Sequence, residues 1–249
     1  MPTESISILL LFSSSDIGGA ERSLTRMATI NKNPSVSYHI ATFGAEGSLS
    51  KWIKDMSIEC HCFNYQTLSL IKYIYMNKPD VIYVIGFRLS IFLRFFCKIF
   101  LKNLIFQGVR WNPSSQSKLD KVFRFFENHF SFLLDGYIVN SKAAAKTIRS
   151  VTRKKVEVIY NGISVLPKNE FNQTKNKYVI TAATLSPRKG HKEYIRVISN
   201  IVEQFPNSQF LFLGNDNLNG EIQKLIESAD LSHNVKYLGF MVNVEEFLD

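Results

Sequence analysis

Two periodicities alternate along this chain. Short apolar runs recur at 6–12, 36–43, 58–63, 80–85, 104–107, 136–139 and 156–160. Between them, at 20–31, 48–56, 67–77, 89–102, 117–134 and 142–151, apolar residues stand three or four apart. The first pattern predicts buried strands and the second predicts helices. Alternation of the two predicts a parallel sheet covered on both faces. A polar stretch at 166–177 breaks the rhythm and reads as a linker. The rhythm then resumes: a strand at 178–183, a helix ending at 205, a strand at 209–213, a helix at 221–229, a strand at 235–238, and a helix starting near Val244. The predicted organisation is α/β, with one Rossmann-like domain over 1–165, a linker over 166–177, and a second, incomplete parallel-sheet domain over 178–249.

Composition narrows this picture. A chain of 249 residues with 45% hydrophobic and 20% charged content buries a sizeable core. Its most apolar region, 80–102, is cut by Arg88, Arg94 and Lys98, so no uninterrupted spanning run is predicted. The first twelve residues carry Glu4 and no basic segment, which suits a strand better than a signal peptide. Three cysteines, an odd number, argue against a disulfide framework and for a reducing compartment. Cys60-His61-Cys62 reads as a strand with both thiols on one face. No second Cys/His cluster exists to complete a metal site.

Charge adds a partner. Residues 1–165 hold 21 Lys and Arg against 11 Asp and Glu, an excess of ten, whereas 166–249 hold 9 against 10. The first half is therefore predicted to meet something anionic. Arg94, Lys98 and Lys102 fall four apart among Phe92, Phe95, Phe96, Ile99 and Phe100. That helix predicts either a membrane-surface contact or a crossover helix with a solvated basic stripe. No nucleic-acid-binding module is present to use the charge otherwise.

The candidate chemistry lies at strand ends. Arg188, Lys189 and Gly190 follow a Ser186-Pro187 turn and stand at the mouth of the helix that includes Tyr194, Ile195, Ile198, Ile201, Val202 and Phe205. Two cations at a helix N-terminus make a seat for a diphosphate. Gly18 and Gly19 open the first helix, where a backbone approaches a ligand closely, although the dinucleotide fingerprint is absent. Arg110, before Trp111-Asn112-Pro113, is placed either to hold a phosphate or carboxylate or to pack on Trp111. Asn140-Ser141 and Asn161-Gly162 end two further strands, and Ser141 serves equally well as a helix N-cap. There is no Gly-x-Ser-x-Gly elbow, Walker loop or His-x-x-x-His helix.

Taken in order, Gly18-Gly19-Ala20-Glu21, Val139-Asn140-Ser141, the segment from Val158 to Ile163, the turn from Leu185 to His191, the run from Phe210 to Gly214 and the run from Val235 to Gly239 resemble the retaining glycosyltransferases of family 4, the group 1 transferases of GT-B fold. The resemblance implies two Rossmann-like domains facing across a cleft. It also implies transfer of a hexose from a nucleotide-sugar to a lipid-linked or polysaccharide acceptor in surface-glycan assembly, lipopolysaccharide included. The site would be cytoplasmic, peripheral at the inner membrane face. Lys189, with Arg188 beside it, would bind the donor diphosphate as catalytic cations. Gly18, Gly19, Asn161, Gly162 and Gly214 would line the donor, and Arg110, Asn140 and Ser141 the acceptor side. In the mechanism the resemblance implies, the departing phosphate takes the acceptor's proton, so neither metal nor cofactor is required. Three departures stand out. The family's Gly-Arg-Leu triplet is Ala183-Thr184-Leu185 here. Tyr83 and Ile85 stand where many members carry His. The paired glutamates that hold the donor's sugar and ribose would fall beyond Asp249. On that pattern the sequence reads as truncated and of low activity by itself. A second reading is a degenerate nucleotide-sugar or membrane binder.

Overall fold

A computed structural model describes residues 5–101, 103–110, 118–162, 178–241 and 244. The linker at 166–177, Lys102, Trp111-Asn112-Pro113, Glu245 and Glu246 lie outside the described residues. The helix foreseen near Val244 lies outside them too, apart from Val244 itself. The chain divides into two compact units, 1–164 and 165–249.

The first unit holds seven parallel strands in the order β3-β2-β1-β4-β5-β6-β7. These are β1 Ile6–Phe12, β2 Val36–Thr42, β3 Cys60–Cys62, β4 Val81–Ile85, β5 Leu104–Val109, β6 Gly136–Val139 and β7 Val156–Val158. Crossovers are made by helices α1 Gly19–Thr29, α2 Ser48–Asp55, α3 Thr67–Asn77, α4 Phe87–Phe100, α5 Lys118–Phe130 and α6 Lys142–Arg149. The continuous apolar run of β1 is explained by its central place. Leu9 and Leu11 enter one core with Leu70 of α3, Leu93 of α4, Phe123 of α5 and Ile148 of α6. Leu10 and Phe12 enter the opposite core with Leu24 of α1 and Ile53 of α2. A strand buried on both faces has no polar side to alternate with. Strand order reverses between β1 and β4, and in open α/β sheets ligands sit at the carboxyl ends of strands around such a point.

The second unit holds β8 Tyr178–Ala182, β9 Gln209–Leu213 and β10 Val235–Gly239, parallel and in the order β10-β9-β8. Helices α7 His191–Gln204 and α8 Glu221–Ser228 bury Ile195, Ile198, Ile222 and Ile226 on Phe210 and Phe212. Phe205, foreseen within this helix, instead caps its end and is largely exposed.

One prediction about surface charge is overturned. Arg94 has no exposed surface. Its guanidinium donates to both carboxylate oxygens of the equally buried Glu127, from Nη1 at 3.1 Å and Nη2 at 3.0 Å. Nη2 also reaches Gln107 at 2.5 Å and Ser90 at 3.1 Å. The Tyr137 hydroxyl completes the cage on Glu127. Lys98 pairs with Asp135 at 2.7 Å. Of the predicted stripe, Arg94 and Lys98 lie on α4. Their spacing did not reveal that α5 packs on α4, with Phe95 on Phe130 and Phe87 on Phe123, and sets Glu127 against Arg94. A buried charge persists only when paired and hydrogen-bonded, and this cage supplies both conditions.

Candidate active site

In the first unit the predicted residues gather on the carboxyl edge of the sheet. Arg110 follows β5 directly. Its Nη1 donates to Asn161 Oδ1 at 2.6 Å, beyond β7, and its Nη2 donates to the Tyr83 hydroxyl of β4 at 3.1 Å. One guanidinium therefore ties together the ends of three strands. Among the described residues its Nε is buried without a hydrogen-bond partner. Gly108 makes this arrangement possible: a Cβ there would stand 2.9 Å from the Tyr83 oxygen and 2.0 Å from Ile85 Cδ1. Burial pushes the Tyr83 phenol above its usual pKa, and the Arg110 charge partly offsets that.

Gly18 caps α1 in extended conformation, and Gly19 begins the helix with open space around it. The neighbouring Glu21 folds back so that a Cβ on Gly18 would lie 2.6 Å from its Oε2. Burial raises the Glu21 carboxyl above the usual range. Hydrogen bonds from the backbone of Glu21 and Gly18 oppose the shift, Asp16 adds to it, and Arg110 counters it. A carboxyl thus shares the helix mouth where a ligand anion was foreseen. Asn140 is half-buried after β6. Ser141 is the N-cap of α6, its Oγ accepting from Ala144 N at 3.1 Å. Gly162 is exposed, and a methyl group added to it would meet open space. Sequence reasoning missed Glu21 and Tyr83 as members of this cluster. Glu21 carried a signal in its place beside the glycine pair, and Tyr83 carried one in standing where many members of the resembled family have His.

In the second unit, Pro187–Lys189 form one 3₁₀ turn and Gly190, left-handed at φ 70°, admits the chain to α7. Lys189 is exposed, its backbone N–H held by Ser186 O at 3.0 Å. The expectation for the Arg188 side chain lies outside what the structure describes. His191, at the head of α7, is 2% exposed and packs edge-on against Phe212 at 5.5 Å. Burial depresses its pKa, and the Lys189 charge lowers it further. Gly214, at φ 144°, approaches a neighbouring backbone closely: a Cβ would lie 2.2 Å from Ala183 O. Its N–H donates to Gly239 O at 2.8 Å, and its carbonyl accepts from the Tyr237 hydroxyl at 2.8 Å. Gly214 thereby fixes the loops after all three strands of this sheet. The carboxyl edge so built presents a lysine beside a helix N-terminus, the chemistry that holds phosphate oxygens.

Comparison with known proteins bears on both units. Residues 164–249 match the family model of glycosyl transferases group 1. The uncharacterized glycosyltransferase MJ1059 of Methanocaldococcus jannaschii is 26% identical over 206 residues, covering 74% of this chain and 51% of that protein. The chain thus spans about half the length of this relative. Among solved structures, Anabaena Alr3699/HepE in complex with UDP-glucose superposes with a TM-score of 0.76 at 21% identity, covering 98% of this chain and 71% of that one. A variant of S. aureus TarM, in complex with Fondaparinux, alpha-GlcNAc-glycerol and UDP, gives 0.76 at 13% identity, covering 98% and 79%. Residues 164–249 thus resemble the glycosyl transferases of group 1, and the two parallel-sheet units share the fold of these solved neighbours.

Proposed function

We propose that the protein is a retaining glycosyltransferase of family 4 that moves a hexose from a nucleotide-sugar, with UDP as the nucleotide, onto a lipid-linked or polysaccharide acceptor. Its place would be surface-glycan assembly, peripheral at the inner face of the cytoplasmic membrane. The group 1 match over the segment that sets Lys189 and Gly190 at the mouth of α7 carries this reading. The UDP and UDP-glucose bound by fold neighbours favour uridine.

In the proposed reaction the bond between the sugar's C1 and the diphosphate oxygen breaks. A bond from C1 to the acceptor oxygen forms on the same face, and the acceptor's proton passes to the departing phosphate. Negative charge grows on the diphosphate, so a fixed ammonium and helix-end N–H groups stabilise the transition state more than the ground state. With phosphate as the base, no side-chain base and no cofactor are required. On the first unit, Arg110 offers its guanidinium to the acceptor, and Asn161, which accepts a hydrogen bond from it, lines the donor side. The alternative of a non-catalytic nucleotide-sugar binder predicts the same binding without transfer.

A melting-temperature screen against UDP-, GDP- and ADP-hexoses tests the binding. A ligand at 100 times its Kd adds about 2.7 kcal/mol to stability. Product formed from the best donor is then examined for its anomeric configuration by NMR. An α-product from an α-donor is expected. No shift with any nucleotide-sugar, or an inverted product, contradicts the proposal.

A further inference from the structure

We infer that the α4–α5 face of the first unit seats on the surface of an anionic phospholipid bilayer. The inference deepens the membrane part of the proposed function, but its geometry lies wholly within this unit.

The outward face of a crossover helix normally carries charge. Here α4 leaves Phe92, Phe95 and Phe96 only partly covered, and Phe100 is 68% exposed at its end. Phe92, Phe96 and Phe100 form a ladder with ring centroids 6.2 and 5.0 Å apart. Phe95 continues it onto Phe130 of α5 at 5.3 Å. Beyond lie Phe125, 54% exposed, and Phe132, 62% exposed. Phe132 and His129 line a cleft of about 600 Å³ whose other wall carries Arg149, Arg153 and Lys154. An apolar surface this continuous marks an interaction site.

Charge decides which partner covers it. Residues 118–155 hold nine Lys and Arg against three Asp and Glu. Two of those three acids are already engaged, Glu127 by Arg94 and Asp135 by Lys98. Lys121, Arg124, Arg149 and Arg153 are exposed; the first two share α5 with Phe125, and the last two line the cleft with Phe132. A second copy would set these cations against their own images across a two-fold axis, which repels. An anionic bilayer matches both features: rings enter the headgroup boundary while cations meet lipid phosphates.

The test is co-sedimentation of the protein with sucrose-loaded vesicles, one set of phosphatidylcholine alone and one containing one-quarter phosphatidylglycerol. Wild-type protein should bind the anionic vesicles at least tenfold more tightly, with binding weakening in 0.5 M salt. Phe125→Ser/Phe132→Ser and Arg124→Gln/Arg153→Gln/Lys154→Gln should each lose at least tenfold, with circular dichroism and donor-induced melting shifts retained. Retained donor shifts separate this inference from the transferase reading. Equal binding to both vesicle sets, binding to neither, or variants that bind as wild type would overturn it. So would a dimer in sedimentation velocity that the serine variant dissociates while vesicles bind nothing.

Discussion

The Arg110 guanidinium reaches from the end of β5 to the Asn161 side chain beyond β7, at 2.6 Å, with the Tyr83 hydroxyl as its second acceptor. Arg110 and Asn161 are 51 positions apart in sequence, so only the parallel sheet brings them together. If the cluster serves the acceptor, Arg110→Ala should lower kcat/KM for the acceptor by roughly 10–100-fold, the scale of a charged hydrogen bond. Tyr83→Phe removes one acceptor of Arg110 and should cost about fivefold, on the order of 1 kcal/mol. Steady-state kinetics with the acceptor varied, beside calorimetric titration of the donor, checks both. Donor affinity should stay unchanged, and a fall in donor affinity would assign Arg110 to the other substrate.

Arg94 and Glu127 make a different kind of pair, because neither has any solvent to fall back on. Arg94→Met and Glu127→Leu should each destabilise the first unit by roughly 3–5 kcal/mol, since each strands a charge in the core. The double variant should cost less than the sum, because the second change removes the charge stranded by the first. Urea unfolding followed by the fluorescence of Trp52 and Trp111 reports on this unit, which holds both tryptophans. Additive costs would show that the pair is not coupled.

His191 gives the second unit a pH response of definite sign. Its folded-state pKa is depressed by burial and by Lys189. On acidification through the ordinary histidine range, near about 6.5, the unfolded chain therefore takes up a proton before the folded one does, and stability falls. Above that range the two states bind equally and the effect vanishes. Calorimetric melting between pH 7.5 and pH 5 should show wild type losing stability relative to His191→Phe, whose ring keeps the contact with Phe212. Parallel pH profiles for the two proteins would remove His191 as the cause.

Two candidate glycines should behave oppositely. Gly214→Ala places a methyl against the Ala183 carbonyl at a φ that side chains rarely adopt, and should cost roughly 1–3 kcal/mol or more. Gly162→Ala enters open space and should change stability by less than about 0.5 kcal/mol. Thermal melting of the two variants checks the contrast. A change in donor binding by Gly162→Ala without a change in stability would then reflect the ligand alone.

Periodicity made most of the architecture legible. Every first-unit strand and helix foreseen from the pattern is present, because each apolar run is long enough to be buried on one or both faces. Boundaries moved where hydrogen bonding decided them. The strand foreseen at 58–63 pairs with β2 only over Cys60–Cys62. The helix foreseen at 117–134 tightens into a 3₁₀ turn at Ser131–Leu133 before β6. The placement of Gly18, Lys189 and Gly190 at helix starts was readable because turns and helix starts impose residue types. The partners of Tyr83 and Glu127 were not. A strand tyrosine and a helical glutamate look ordinary until the neighbouring strand or helix brings Arg110 or Arg94 within reach.

In the proposed reaction Lys189, at the mouth of α7, grips the diphosphate of a nucleotide-sugar. Calorimetric titration of wild type and Lys189→Ala with UDP-glucose measures that grip. The variant should keep its melting temperature, because Lys189 is exposed, and bind at least tenfold more weakly, in keeping with the loss of about 1.4 kcal/mol or more. Equal affinity of the two proteins for UDP-glucose would show that Lys189 does not hold the diphosphate.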